Sequence, residues 1–306
     1  MTSPVPLVSV LITAFNREAF IGEAIESVLG SSLRDFELII VDDASSDATA
    51  AVAAQYVEKD PRLRMFVNET NVGDYQNRNS AAGHARGRYL KYVDSDDVIY
   101  PHGLEVMARC MESFPQAGLG LSAVPNSVGS FPLLLSPAEA YRHNFFGGDL
   151  FGRAPGSAII RRSAFEAVGG FTGRRQVGDH ELWLAMARRF PVVTMPRDLL
   201  WDRLHPDQEK HYDSIVEKAV MHEDIQLAAL RSADCPLEIS ERDAALARLL
   251  EARARKYWYF LRRNGLRTAQ DYRRRASLPG RAILSVASEK LLDTMGSRRF
   301  HSDLAL

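Results

Sequence analysis

The chain has 306 residues, 46% hydrophobic and 25% charged, the composition of a folded globular protein with room for one large domain and an appendage. Its two cysteines, Cys110 and Cys235, form no Cys-x-x-Cys pair, which excludes a zinc ribbon or a disulfide framework and fits a reducing compartment. The formal net charge of −1 hides an asymmetry: residues 252–300 hold thirteen Lys or Arg against three Asp or Glu, so the rest carries about −11.

Met1 to Pro6 lack a basic segment followed by an apolar core, so no signal peptide is expected. Leu7 to Thr13 reads as a buried strand ending in Ala14-Phe15-Asn16-Arg17-Glu18. Phe20, Ile21, Ala24, Ile25, Val28 and Leu29 then follow a helical period that stops at Gly30-Ser31-Ser32. Glu37 to Val41 is a second buried strand, ending in Asp42-Asp43-Ala44-Ser45-Ser46-Asp47. Asp47 is expected to cap the alanine-rich helix from Ala48 to Val57. A third strand, Leu63 to Val67, a loop at 68–71 and a third helix, Gly73 to His84, follow. Tyr89 to Val93 is a fourth buried strand, closed by Asp94-Ser95-Asp96-Asp97. Pro101 suits the first turn of a helix reaching Phe114. Repeated βα units of this length predict a parallel sheet with helices on both faces.

The acidic strand ends carry the chemistry. Three carboxylates at one strand end repel one another and are costly to desolvate, so they need a cation or a strong donor set. An open α/β sheet places its ligands at the carboxyl ends of its strands. Asp94-Ser95-Asp96-Asp97 therefore predicts a divalent metal meeting a phosphorylated ligand. The competing reading makes these residues N-caps and turn formers, Asp97 as a cap of the following helix among them.

Beyond Phe114 the pattern loosens. Leu119 to Val124 reads as a strand, and 126–155 as a loop-rich lid or acceptor-side segment with Gly129, Pro132, Pro137, Gly147 and Gly148. No run of about 18 uninterrupted apolar residues exists; the nearest, 118–135, is broken by Pro125, Asn126 and Pro132. Ser157 to Ile160 is a strand, Arg162 to Val168 a short helix ending at Gly169-Gly170, and Asp179 to Arg189 a helix. Val192 to Met195 and Leu199 to Trp201 are short strands. From Pro206 the pattern is helical, interrupted at Pro236, Gly265 and Pro279-Gly280. Ala282, Ile283, Leu284, Val286, Ala287, Leu291, Leu292 and Met295 form an apolar stripe flanked by Arg281, Lys290, Arg298 and Arg299. It suits a membrane surface; equally, it suits packing on the catalytic domain or on a second subunit.

In this order the segments resemble a family 2 glycosyltransferase. Val8 to Arg17 matches the opening strand and its Asn-Arg turn, and Glu37 to Asp47 the strand with a double Asp and a Ser-x-Asp. Asn71-Val72-Gly73, Arg78-Asn79 and Ala85-Arg86-Gly87 match the next helix, and Asp94-Ser95-Asp96-Asp97 the Asp-x-Asp motif. Ala158 to Arg162 with Val168-Gly169-Gly170-Phe171 matches the acceptor-side strand and turn. Asp179-His180-Glu181-Leu182-Trp183 matches the Glu-Asp-x-Glu-Leu-Trp helix, and Asp202 to Pro206 the Arg-x-His element. Two positions depart: Gly178 stands where the family usually has Glu, and Phe15 where Tyr is common.

The resemblance implies the GT-A fold: a Rossmann-like α/β domain over 1–210 with a mostly parallel sheet flanked by helices, a nucleotide half at 1–100, an acceptor half at 101–210, and a helical extension over 211–306. It implies an inverting, metal-dependent transfer of a sugar from a nucleotide-diphosphate sugar to a glycan or lipid-linked hydroxyl in cell-surface polysaccharide assembly. Asp96 is the expected ligand of Mn²⁺ or Mg²⁺, with Asp94 and His205 completing the shell. Ala14, Phe15, Asn16, Asp42, Asp43, Arg78 and Asp94 are the expected nucleotide contacts. Asp179 is the expected general base and Glu181 its rival. No nucleic acid partner is expected. A cytoplasmic location follows, with a peripheral hold on the inner face of the plasma membrane and a homodimer as readings of the basic C-terminal helices. A sugar-phosphate nucleotidyltransferase is disfavoured, because the loop after the first strand has no glycine. Gly178 keeps a non-catalytic nucleotide-sugar-binding module in play.

Overall fold

Val8–Ala14 has no exposed position, and this chain of seven buried residues is β1, the centre of the sheet. In the computed structural model, which describes residues 5–122, 130–205 and 214–285, it pairs in parallel with β2 (Phe36–Asp42) on one side and β4 (Tyr89–Asp94) on the other. β2 pairs in turn with β3 (Leu63–Val67). The order β3-β2-β1-β4 puts a topological switch point between β1 and β4, where an open sheet binds its ligand. Register aligns the ends: Ala14 lies opposite Asp42, and Thr13 opposite Asp94.

Both faces are covered, as the run pattern predicts. Val8, Val10, Ile12 and Ala14 pack with Phe36, Leu38 and Ile40 against α1 (Ile21–Leu29), α2 (Thr49–Val57) and α4 (Gly103–Glu112). On the other face α3 (Asp74–His84) lies over β1 and β2. There the Tyr92 hydroxyl donates to the Arg78 carbonyl at 3.0 Å, and Asn77 Nδ2 to that of Val41 at 3.1 Å.

At the opposite strand ends Glu37 is buried and accepts from Ser9 Oγ (2.6 Å), the Arg86 amide (2.7 Å) and Arg64 (2.9 Å). A Cβ on Gly87 would stand 2.5 Å from the Ser9 amide nitrogen, so only glycine fits there. The Ala85-Arg86-Gly87 segment is thus a packing device.

Past β4 the sheet continues with mixed pairing: β8 (Ala158–Arg161) antiparallel to β4 and to β6 (Leu119–Leu121), β9 (Val192–Thr194) parallel to β6, and β7 (Leu133–Leu135) antiparallel to β9. A two-residue strand, β5 (Val98–Ile99), pairs with β10 (Leu200–Trp201). β5 is too short to leave a periodic signal. α6 (Arg162–Val168) and α7 (Gly178–Ala187) follow β8.

The loop-rich expectation for 126–155 is corrected. β7 is followed by α5 (Pro137–Arg142), which a Ser136/Glu139 capping box starts, and by a π-helical turn at His143–Gly147. Pro137 at the start of α5 and Gly148 at the end of the π-helical turn are helix start and stop signals rather than loop punctuation. The proposed strand residues 123 and 124, with Pro125, Asn126 and Gly129, lie outside the described residues.

The chain divides into two compact units, Met1–Glu209 and Lys210–Leu306. The second contains α8 (Ile215–Arg231), α9 (Ile239–Asn264) and α10 (Leu266–Arg275), broken near Pro236 and at Gly265 as expected. Phe260, Tyr272, Val216, Val220 and Ile283 form its core. Buried Glu223 takes the Tyr272 hydroxyl at 2.8 Å, Arg253 at 3.1 Å and Lys256 at 2.8 Å, joining the three helices. In the described start of the apolar stripe, Ile283 is in this core and its carbonyl accepts from Trp258 Nε1, while Leu284 is exposed. Its remainder, from Val286 on, with Lys290, Arg298 and Arg299, lies outside the described residues. No described helix is long and apolar enough to cross a membrane.

Candidate active site

The first two turns of α3 gather the acidic strand ends. Asp43, buried at the end of β2, accepts from Val72 N (3.0 Å), Gly73 N (2.9 Å) and Asn68 Nδ2 (2.7 Å), just ahead of the helix. One turn in, Arg78 is buried and divides its guanidinium between Asp74 (2.9 Å) and Asp94 (2.8 Å). Between these, Tyr75 reaches Asp179: its hydroxyl accepts from the Asp179 amide at 3.2 Å. Asp43 at the entry to α3, Asp94 through Arg78 and Asp179 through Tyr75 are thus gathered at one end of that helix, and the Arg78 charge acts on Asp94 and Asp179 alike.

Burial works against the Arg78 charge, but Asp74 and Asp94 outweigh it and hold the guanidinium protonated. Its Nη1 is buried with no hydrogen-bond partner among the described residues.

Asp42 is a turn former: its two oxygens take the amide (2.9 Å) and hydroxyl (2.5 Å) of Ser45. Asn16 has φ +52 and is pinned by Ser45 and Ser46. Ala14 is buried, its carbonyl accepting from the Asp43 amide at 2.8 Å, while Phe15 is exposed beside it. Asp47 accepts from the amide of Thr49, so it caps α2 from one residue farther out than expected.

Asp96 sits between a guanidinium and an imidazole. Its Oδ2 is 3.2 Å from Arg17 Nε and 2.9 Å from His205 Nε2, and the His205 ring lies on Phe20 at 4.7 Å. The Arg203 Nε donates to the Asp96 carbonyl at 2.8 Å, and its amide to Asp97 at 3.1 Å. Asp97 does not cap α4, which starts after His102; the capping expectation is corrected. Burial, then Asp94, pushes its carboxyl up to about 7, against the Arg203 amide.

The acidic strand end has an internal cation that the sequence reading missed. Lys91 alternates with Tyr89 and Val93 on the core face of β4, is fully buried, and donates to the Gly156 carbonyl. Burial pushes its ammonium down to about 7, with Asp94 and Asp97 pulling back. A lone lysine inside a run otherwise apolar on both faces was the available signal. Between about 7 and the ordinary 10.5 the unfolded chain holds more protons on Lys91 than the folded one, so stability rises with pH across that window. Lys91→Met removes this term. The melting temperature of the wild type should climb relative to Lys91→Met between pH 7 and 10, measured by thermal unfolding in matched buffers.

Burial also pushes the Asp179 carboxyl up, against the His180 amide, Arg78 and Tyr75. Glu181 faces away from this group: Thr172 Oγ1 donates to it and Arg174 lies 3.7 Å from it. Gly178 has a physical cause. A Cβ there would stand 2.8 Å from the Tyr75 ring, so the phenol occupies the space a side chain would need. The other quoted motif pair is also explained: Asn79 exchanges two hydrogen bonds with the Phe171 backbone, at 2.8 and 3.0 Å.

Among the described residues, no three His, Cys, Asp or Glu side chains converge to hold a metal. The donor set still fits a hard or borderline cation. Asp96 Oδ2 and His205 Nε2 lie 2.9 Å apart at the strand end. A divalent ion at a diphosphate needs only one or two protein ligands, since phosphates and water supply the rest.

The switch-point sheet with its acidic ends and antiparallel extension defines a GT-A glycosyltransferase fold. TarS 1-349 of S. aureus, solved with UDP-GlcNAc, has the same fold, with a TM-score of 0.65 at 19% identity over 90% of this chain and 82% of that one. The mannosyltransferase PcManGT of Pyrobaculum calidifontis, solved with GDP-Man and Mn²⁺, gives 0.58 at 19% identity over 94% and 80%. The family model of glycosyl transferase family 2 matches residues 9–169, and the chain belongs to that family of glycosyltransferases. The putative glycosyltransferase EpsE of Bacillus subtilis is 31% identical over 186 residues, 58% of this chain and 66% of EpsE. The chain spans less than two thirds of the length of the curated relatives it matches.

Proposed function

We propose that the protein transfers a sugar from a nucleoside-diphosphate sugar to an acceptor hydroxyl, with inversion and with the help of a divalent cation. The observation that carries this reading is the convergence at the start of α3: Asp43 bonds the amides that lead into it, Asp94 bonds Arg78, and the Asp179 amide bonds Tyr75. Asp43 and the Ala14-Phe15 backbone would take the nucleoside, and Arg78 and Asp94 the ribose and diphosphate. Asp96 and His205 would hold Mn²⁺ or Mg²⁺, which offsets the negative charge on the departing diphosphate. Asp179, desolvated and opposite that side, would accept the acceptor's proton, giving a single displacement. The acceptor class remains that of the resemblance, a glycan or lipid-linked hydroxyl in cell-surface polysaccharide. The exposed arginines of the second unit, Arg262, Arg263, Arg267 and Arg281, would serve a peripheral hold on an anionic leaflet.

A thermal-shift series against UDP-, GDP-, TDP- and CDP-sugars, with and without Mn²⁺, tests the donor half. One nucleotide class should raise the melting temperature only with metal, because a ligand at about 100 times its Kd adds about 2.7 kcal/mol. Asp96→Ala should lose the metal-dependent part. Equal stabilisation of wild type and Asp96→Ala would overturn the ligand assignment.

A further inference from the structure

We propose that Tyr75 is the positioning residue of Asp179, and that Gly178 is the complement that makes room for it. This rests on the reading of Asp179 as the proton acceptor. Three observations carry it. A Cβ on Gly178 would meet ring carbons of Tyr75 at 2.8, 2.9 and 3.0 Å, so ring and glycine are fitted to each other. The hydroxyl accepts from the Asp179 amide at 3.2 Å, which ties the backbone of that residue to α3. The ring itself cannot wander: it stacks on Phe171 at 5.0 Å, and Phe171 is held by Tyr92, Phe165 and Asn79.

The chemistry follows from geometry. A carboxylate on the first turn of a helix can rotate about two bonds. One oxygen is fixed by the His180 amide at 2.7 Å. The phenol holds the backbone of the same residue from another element, so the carboxylate projects from an anchored main chain. A side chain at position 178 would clash with the phenol. The charged and titratable groups facing Asp179 are Tyr75 and Arg78 from α3, with His180 beside it and Asp74 acting through Tyr75.

The test uses the full chain with UDP-GlcNAc and GDP-mannose as donor probes and water as acceptor. Tyr75→Phe keeps the ring and deletes only the hydroxyl. It should lower kcat about threefold to tenfold, the range of one lost neutral hydrogen bond, and leave donor KM within about twofold. The acid limb of kcat should move to higher pH, because Tyr75 is among the groups that hold the Asp179 carboxyl down against burial. A donor-free readout runs in parallel: the pH midpoint of the melting-temperature difference between each background and its Asp179→Asn partner should rise in Tyr75→Phe. Gly178→Ala should lower kcat in the wild type and have no further effect in a Tyr75→Ala background, since the clash needs the ring. Unchanged kcat, acid limb and midpoint in Tyr75→Phe, with Asp179→Asn inactive, would overturn the positioning role alone. Full activity of Asp179→Asn would overturn the base reading and the proposal with it.

Discussion

Asp179→Asn should lower kcat for transfer by about 10²–10⁴-fold, the range of a lost general base, while donor affinity stays near wild type. The argument is one of placement. Asp179 lies on α7, its amide donates to the Tyr75 hydroxyl of α3, and the Arg78 charge on the same helix acts on its carboxylate. Asparagine preserves the shape and the hydrogen bond to the His180 amide but cannot take a proton. Burial holds the Asp179 carboxyl above its ordinary 3.8. The folded state thus binds the proton more tightly than the unfolded one, and stability falls as pH rises from about 4 through the raised value. Asn carries no such charge to desolvate. Asp179→Asn should therefore melt higher than wild type at neutral pH and lose that advantage near pH 4. A variant that is less active but more stable is the signature of a site where function holds a group in an unfavourable setting. Activity assays with a donor found by thermal shift, and melting curves from pH 4 to 8, check both halves. Wild-type kcat would remove Asp179 from the mechanism.

The elements that position this site are those whose sequence signal was strongest. β1, β2, β3 and β4 lie within one residue of their expected bounds, because runs such as Val8 to Thr13 are apolar on both faces and have no other stable place. The acidic ends were legible for the same reason, since Asp42-Asp43 and Asp94 to Asp97 interrupt those runs abruptly. The connecting groups were not legible. Nothing in the spacing of Tyr75 says that its hydroxyl meets a residue 104 positions later. Nothing local says that the Lys91 ammonium finds the Gly156 carbonyl, 65 residues on. Such contacts are set by how β8 and α7 close on α3 and β4, and sequence periodicity carries no information on that closure. Asp42 and Asp43 look alike in sequence, yet one is spent on its own turn and the other on the entry to α3. The difference is the alternation of side chains along β2, and where the strand stops.

That hub makes Arg78 the most consequential cation in the first unit. Its guanidinium is buried, bonded to Asp74 and Asp94, and 5.5 Å from the centre of the Tyr92 ring. Arg78→Met keeps much of the apolar stem and removes the charge. Two carboxylates then lose a buried partner, and Asp94 at the acidic strand end loses the cation it is paired with. Breaking a buried ion pair by removing one side costs about 3–5 kcal/mol. Asp94 and Asp74 keep partial contact with water, so the lower end applies, and solvent takes over part of the charge. About 3 kcal/mol in a domain of this size lowers the melting temperature by about 6–12 °C. Arg78→Met/Asp94→Asn should recover part of that loss, because the uncompensated charge is gone, but it should not recover donor binding, which needs both groups. Lysine is a poor substitute, since a single ammonium cannot reach Asp74 and Asp94 with the planar fork that spans them. Melting curves and donor titrations on the two variants and Arg78→Lys separate the cases. If Arg78→Met melts within about 1 °C of wild type and binds donor equally well, α3 is not the element on which the site is assembled.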